Sequence, residues 1–223
     1  MKRLWHVVST ALFVAVMGAA LGVTAVVLMP LSKPPAATVL EPVGVQEVLP
    51  EGYATIDQVL AKKALGLGMV ARKQVAIAIA DESAKAGFDP LMILALIDVE
   101  SDYQDDAVSP VGARGLMQIR PTTLFFLAQK EGLRLSYEEV ERDPALRVRL
   151  GVRYLKSLYD QCGQNLTLAL MAYNMGPNKL REQLKAKNLE QYKGYPRAIQ
   201  REYVTLRTGL GLGGDWTLAS RAK

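Results

Sequence analysis

Five carboxylates lie close together in the stretch LIDVESDYQDD: Asp98, Glu100, Asp102, Asp105 and Asp106. Such a cluster suits three kinds of chemistry: an oxygen cage for a hard cation, a solvated helix end, or a single acid that gives and takes a proton. The spacing argues against a calcium loop. Asp98-x-Glu100-x-Asp102 fits the first ligand positions, but Tyr103 stands where the sharp turn needs Gly, and Ser109 stands where the bidentate Glu belongs. No metal and no cofactor is therefore expected. Asp102, Asp105 and Asp106 follow a predicted helix end, where negative charge is mildly unfavourable, and they read as a solvated loop. Glu100 differs. On a helix it shares the i, i+3, i+4, i+7 stripe of Ile93, Leu96 and Ile97, whereas Asp98 points away. A carboxyl on an apolar stripe loses hydration, which raises its pKa and makes it a proton donor near neutral pH. Glu82 satisfies a similar wheel with Val75 and Ile79, so periodicity alone leaves two candidates.

The elements that position these residues are helical. Asp89 is a candidate N-cap and Pro90 a first helical residue, which predicts a helix over 90–101. The run VAIAIA (Val75 to Ala80) alternates like a strand, but its Ala content and polar continuation favour a helix ending at Gly87. SPVGARG is a loop. PALRVRLGVRYLKSLYDQ, TLALMAYNMG and GYPRAIQREYVTLRTG carry helical periodicity, with Gly176-Pro177 closing the second. There is no strand series and no internal repeat, so the fold class is mainly α.

The chain has 223 residues, one His (His6) and one Cys (Cys162). That scarcity excludes His-based triads, Cys–His dyads and His-ligated zinc within the body. Cys162 reads as a small buried hydrophobe. Lys2 and Arg3 precede an uncharged stretch from Leu4 to Met29, long enough for a bilayer-spanning helix. Residues 1–30 are expected to be an uncleaved single-pass anchor, with positive charge on the cytoplasmic side and the body outside the bacterial inner membrane, facing the periplasm or cell wall. Gly18 and Gly22 leave room for weak self-association of such anchors. Residues 31–53 are Pro-rich and read as a semi-rigid stalk reaching at most about 60 Å. The body spans 54–223. A net charge of +5 suits an anionic partner. No basic run interleaved with aromatics is present, so nucleic acid is not expected. Gly209, Gly211 and Gly214 satisfy G-x-G-x-x-G without a strand before or a helix after, and Asn165-Leu166-Thr167 matches a glycosylation acceptor by spacing alone.

Glu100-Ser101, Gly115-Leu116-Met117-Gln118 and Ala172-Tyr173-Asn174-Met175-Gly176 occur in this order and spacing. Together they resemble the lytic transglycosylase domain of the soluble-lytic-transglycosylase type, a relative of goose-type lysozyme, over roughly Arg72 to Arg207. The resemblance implies a lysozyme-like helical domain with a glycan cleft. It implies cleavage of the β-1,4 bond between N-acetylmuramic acid and N-acetylglucosamine in peptidoglycan, leaving 1,6-anhydromuramyl ends. It selects Glu100 over Glu82 as the single acid/base. An ordinary glycosidase needs two carboxylates; here the attacking oxygen belongs to the substrate, so one suffices.

The same resemblance implies the substrate-binding set Ser101, Met117, Gln118, Tyr173, Asn174 and Tyr203. Ser101 would shape the acid's surroundings, Gln118 would bond the sugar and Met117 would pack on it. Tyr173 and Asn174 would contact Glu100 and the N-acetyl group. Tyr203, in REYV, would be the tyrosine of the final motif, close to the acid. Three departures stand out. Met175 replaces the usual Ala and would narrow a subsite or fill a gap. Ile199-Gln200 replaces Glu-Thr before Arg201. Arg147-Val148 replaces Asn-Ile after Asp143-Pro144, with no catalytic consequence expected. Two alternatives stay open: a hydrolytic muramidase on the same fold, with one of the Asp residues as second carboxylate, and a non-enzymatic peptidoglycan-binding scaffold.

Overall fold

The computed structural model describes residues 49–220, all within the compact unit Gln46–Lys223. The Leu4–Met29 stretch and most of the Pro-rich segment lie outside the described residues. Among the described residues, no helix is long and apolar enough to cross a membrane. The only β pairing among them is two isolated bridges in one loop.

In chain order the helices are α1 (Tyr53–Lys63), α2 (Met69–Ala86), α3 (Pro90–Ser101), α4 (Pro121–Lys130), α5 (Tyr137–Arg142), α6 (Pro144–Gln161), α7 (Leu166–Met175), α8 (Pro177–Lys185) and α9 (Gly194–Gly209). Short 3₁₀ turns at Glu190–Tyr192 and Trp216–Ser220 flank α9. Helix α3 is the centre. Leu91 through Ile97 are all buried, so no face of its first two turns meets water. A helix apolar all round has to be enclosed, and α9 packs along it while α2 packs along α6.

Local chemistry sets the ends of these elements. The Asp89 carboxylate accepts from the Leu91 N–H at 2.9 Å and Pro90 needs no donor partner, so α3 starts where its cap stands. Asp143 and Asn165 cap α6 and α7 in the same way, and Ser136 with Glu139 forms a capping box on α5. Gly87 ends α2 in the left-handed region. Gly176-Pro177 ends α7 as expected, and Pro177 also opens α8, because Pro at a first helical position has no N–H to satisfy.

The packing of α3 corrects the stripe argument for Glu100. Ile93, Leu96 and Ile97 are no more buried than Leu94 or Ala95. What sets Glu100 apart is its position in the last turn, where the core ends. Asp102 and Tyr103 then take left-handed backbone (φ 49° and 59°) and turn the chain sharply away. The acidic cluster is also less solvated than expected: Asp98 pairs with Lys63 at 2.5 Å and Asp105 with Arg147 at 2.7 Å, while Asp102 and Asp106 are exposed.

Candidate active site

Glu100 opens into a cleft of about 440 Å³. Its walls come from the end of α3, the loop 109–119, the start of α4 (Arg120, Thr123), Tyr154 of α6, and the α7–α8 junction from Tyr173 to Pro177. Glu100 is the only carboxyl group among the lining residues. Burial pushes its pKa up to about 7, against a hydrogen bond from Tyr195 that works in the lowering direction. Desolvation wins because a carboxylate in this wall has one fixed donor in place of a hydration shell.

The Tyr195 hydroxyl of α9 donates to Glu100 Oε1. Burial and the neighbouring Glu100 charge hold the Tyr195 pKa well above its ordinary value, so this phenol stays a donor. With Oε1 occupied as an acceptor, Oε2 is the oxygen left to carry the exchangeable proton of the neutral acid. Tyr173 lines the same cleft. Its hydroxyl donates to the Met117 carbonyl at 2.9 Å, its ring meets Tyr154 at 5.6 Å, and burial followed by the Glu100 charge raises its pKa in the same way.

The loop carrying the second motif is held from below. Ser101 Oγ donates to Ile97 O and to Leu116 O, at 3.1 and 3.0 Å. Gly115 has φ +71°, and a Cβ there would stand 2.5 Å from an Arg147 guanidinium nitrogen, so side chains are excluded both by backbone strain and by contact. Arg147 in turn chelates both Asp105 oxygens at 2.7 and 2.8 Å. The departure at Arg147 is therefore not idle: it clamps α6 to the base of the loop. Two of the cluster's carboxylates thus face a cation partner each, Lys63 or Arg147, which opposes their use as metal ligands.

The expected binding residues separate into two groups. Glu100, Gln118, Tyr173 and Asn174 meet in the cleft, together with Met175. Gln118 has φ +47°, and its amide nitrogen donates to Ala107 O and Gly115 O at 3.1 and 3.0 Å. Both amide hydrogens are used, so the group it offers a ligand is the carbonyl Oε1, an acceptor. Ser101 and Met117 do not line the cleft. Ser101 is a buried tie between α3 and the loop. Met117 is 3% exposed and its thioether packs on Gly151 of α6, so it contributes core volume and a backbone acceptor and its side chain is not part of the cleft wall.

Tyr203 is the clearest correction. Its side chain is fully buried, and its hydroxyl donates to Asp89 Oδ2 at 2.8 Å, beside Arg207 on the same oxygen at 2.7 Å. Asp89 caps the start of α3, and Glu100 lies at its end, about 16 Å away at 1.5 Å per residue. Helix α9 runs back along α3, so Tyr203 meets the wrong end, and the tyrosine at the acid is Tyr195. Nothing in the local pattern around GYPRAI marks Tyr195; only the pairing of α3 with α9 does. Tyr154 and Arg120 were missed for the same reason. Glu82, the rival acid, is tied up elsewhere: Arg153 of α6 grips both its oxygens at 2.7 and 2.8 Å.

Known proteins resemble this chain in sequence and in fold. Residues 77–195 match the Transglycosylase SLT domain family. The soluble lytic murein transglycosylase of Escherichia coli K12 is 34% identical over 90 residues, covering 40% of this chain and 14% of its own length. This chain therefore spans about a seventh of that relative. Among solved structures, the lytic transglycosylase Slt of Pseudomonas aeruginosa superposes with a TM-score of 0.54 at 28% identity, covering 64% of this chain and 26% of the other. The 70 kDa soluble lytic transglycosylase of Escherichia coli gives 0.56 at 19% identity over 79% of this chain and 34% of the other, a likeness of fold.

Proposed function

The chain belongs to the Transglycosylase SLT domain family, and on that premise we propose that it is a peptidoglycan lytic transglycosylase with Glu100 as its single acid/base. The observation that carries this reading is a lone carboxyl in the cleft, neutral up to about pH 7. In the first half-reaction the Oε2 proton passes to the glycosidic oxygen as its bond to the muramyl C1 breaks. In the second, the muramyl C6 oxygen bonds to C1 and its proton returns to Glu100. No water is consumed, and Glu100 ends as it began. An inverting hydrolase needs a second carboxylate to activate water on the opposite face, and none of Asp98, Asp102, Asp105 and Asp106 lines the cleft. Gln118 and Asn174 serve as polar contacts to the sugar, and Met175 narrows the floor beside Gly176.

We further propose that residues 1–30 anchor the protein in the inner membrane, with the Pro-rich segment as a stalk and the catalytic body on the wall side. The uncharged stretch Leu4–Met29 after Lys2 and Arg3 supports this.

The deciding experiment is mass spectrometry of purified peptidoglycan digested with the full chain. Anhydromuramyl products, one water lighter than reducing-end products, are expected. Reducing muramic acid in their place would establish a muramidase, and no new ends at all would leave a binding scaffold.

Tyr195→Phe tests the partner of the acid. It removes the hydrogen bond that lowers the Glu100 pKa, so the alkaline limb of kcat/KM should move above pH 7. Loss of a bond to a charged group also predicts a fall of about tenfold in kcat. An unmoved limb would show that Tyr195 only packs.

A further inference from the structure

Arg120 is the only cation among the residues lining the cleft. It is exposed and, among the described residues, has no ion-pair or hydrogen-bond partner for its guanidinium. Most cations near the site are committed: Arg147 to Asp105, Arg153 to Glu82 and Glu131, Lys63 to Asp98, Arg114 to Glu141. The one acidic group sharing the cleft with Arg120 is Glu100, and a neutral Glu100 gives it no counter-charge. Arg120 is also the N-cap of α4, which has no side-chain cap. The start of α8 at Gly176-Pro177 lacks one too, and both helix ends line this cleft. Helix N-termini carry positive partial charge, so they add to the Arg120 charge. A neutral sugar strand can accept hydrogen bonds from such a wall but brings no charge to pair with it.

We propose that Arg120 is a specificity-determining residue that binds a carboxylate carried on the C3 lactyl arm of the muramyl sugar. This inference rests on the reading of the cleft as a peptidoglycan site and names the acidic feature that it selects. Two sources present that chemistry: the free lactyl carboxylate of a peptide-free strand, and the acidic side groups of a stem peptide. A planar guanidinium matches a carboxylate through two parallel N–H donors, which a lysine ammonium does not reproduce.

The test uses the full chain and three fluorescently labelled strands: peptide-free with a free lactyl carboxylate, the same strand amidated at that carboxyl, and a strand bearing intact stem peptides. Binding is read by anisotropy in a Glu100→Gln background, with and without Arg120→Met or Arg120→Lys, and turnover is read in the Glu100 protein. Arg120→Met is expected to weaken binding of at least one carboxylate-bearing strand by roughly tenfold and to leave the amidated strand unchanged. Arg120→Lys should recover part of the loss. An effect confined to the peptide-free strand assigns the lactyl carboxylate, and one confined to the peptide-bearing strand assigns the stem. Equal binding of all strands with and without Arg120, an equal loss on all three, or no binding at all overturns the inference. Carboxylate-dependent binding without anhydro products would overturn the proposed reaction and leave the Arg120 assignment standing.

Discussion

Glu100→Gln is expected to lower the rate of anhydromuropeptide formation by about 10³-fold or more, because it removes both the proton donor and the acceptor from the cleft. No second carboxyl lines the site to take over. The folded protein should survive and gain stability at alkaline pH. The sign follows from the raised pKa. With an ordinary value of 4.5 and a folded value of about 7, the folded state holds the proton more tightly. The stability from this group is present below pH 4.5 and is lost as pH rises through 7. At pH 8 the wild type carries a partly buried carboxylate that Gln does not, so the variant should be more stable there by about 3 kcal/mol. At pH 4 the two should match. Urea unfolding at both pH values reads this directly. In the wild type, kcat/KM should fall above pH 7 as the donor form disappears. A flat profile through that range would remove Glu100 as the acid.

Glu82→Gln should do the reverse: destabilise and leave kcat of the folded fraction unchanged. The Glu82 side chain is 2% exposed and joined to Arg153 by two short bonds, while Lys85 and Arg149 lie at 3.4 and 3.9 Å. Burial opposes the Glu82 charge, but the Arg153 bond and the surrounding cations outweigh it and hold the carboxyl below its ordinary range. A depressed carboxyl contributes stability above its unfolded pKa and loses it as pH falls. Breaking a buried pair costs about 3–5 kcal/mol. The Arg153 side chain is 38% exposed and also reaches Glu131, so solvent and that second partner lower the expected loss to about 2 kcal/mol near pH 7. A denaturation midpoint unchanged by Glu82→Gln would show that the pair contributes no net stability. The two glutamates, indistinguishable on a helical wheel, should thus separate cleanly: one variant inactive and stable, the other active and weakened.

Much of the fold is legible locally. The bounds of α3 and α6 follow from a cap and a proline at one end and a turn at the other, because these signals act over one helical turn. Helices α4 and α8 also open on a proline and α5 on a capping box, but all three are short. Helix α5 is a six-residue capped turn, and α8 begins at the proline that closes α7. The wheel on α3 failed for a definite reason. A stripe has meaning only on a helix with a wet face, and the first two turns of α3 have none.

The sequence by itself determined that the body is helical and that α3 ends just past Glu100, and its motif order singled out Glu100 over Glu82 as the proposed acid. Caps and prolines act on neighbouring residues, and the motif order is written in the chain. Tertiary structure alone decided what surrounds that acid. Tyr195 reaches it across 95 positions and Tyr173 reaches the Met117 carbonyl across 56. Met117 and Ser101 turned from ligands into supports, and Tyr203 locks the far end of the same helix. Hydrogen-bond geometry depends on ångström separations between helices, and those are set by how α9, α7 and α6 pack on α3, not by any spacing along the chain.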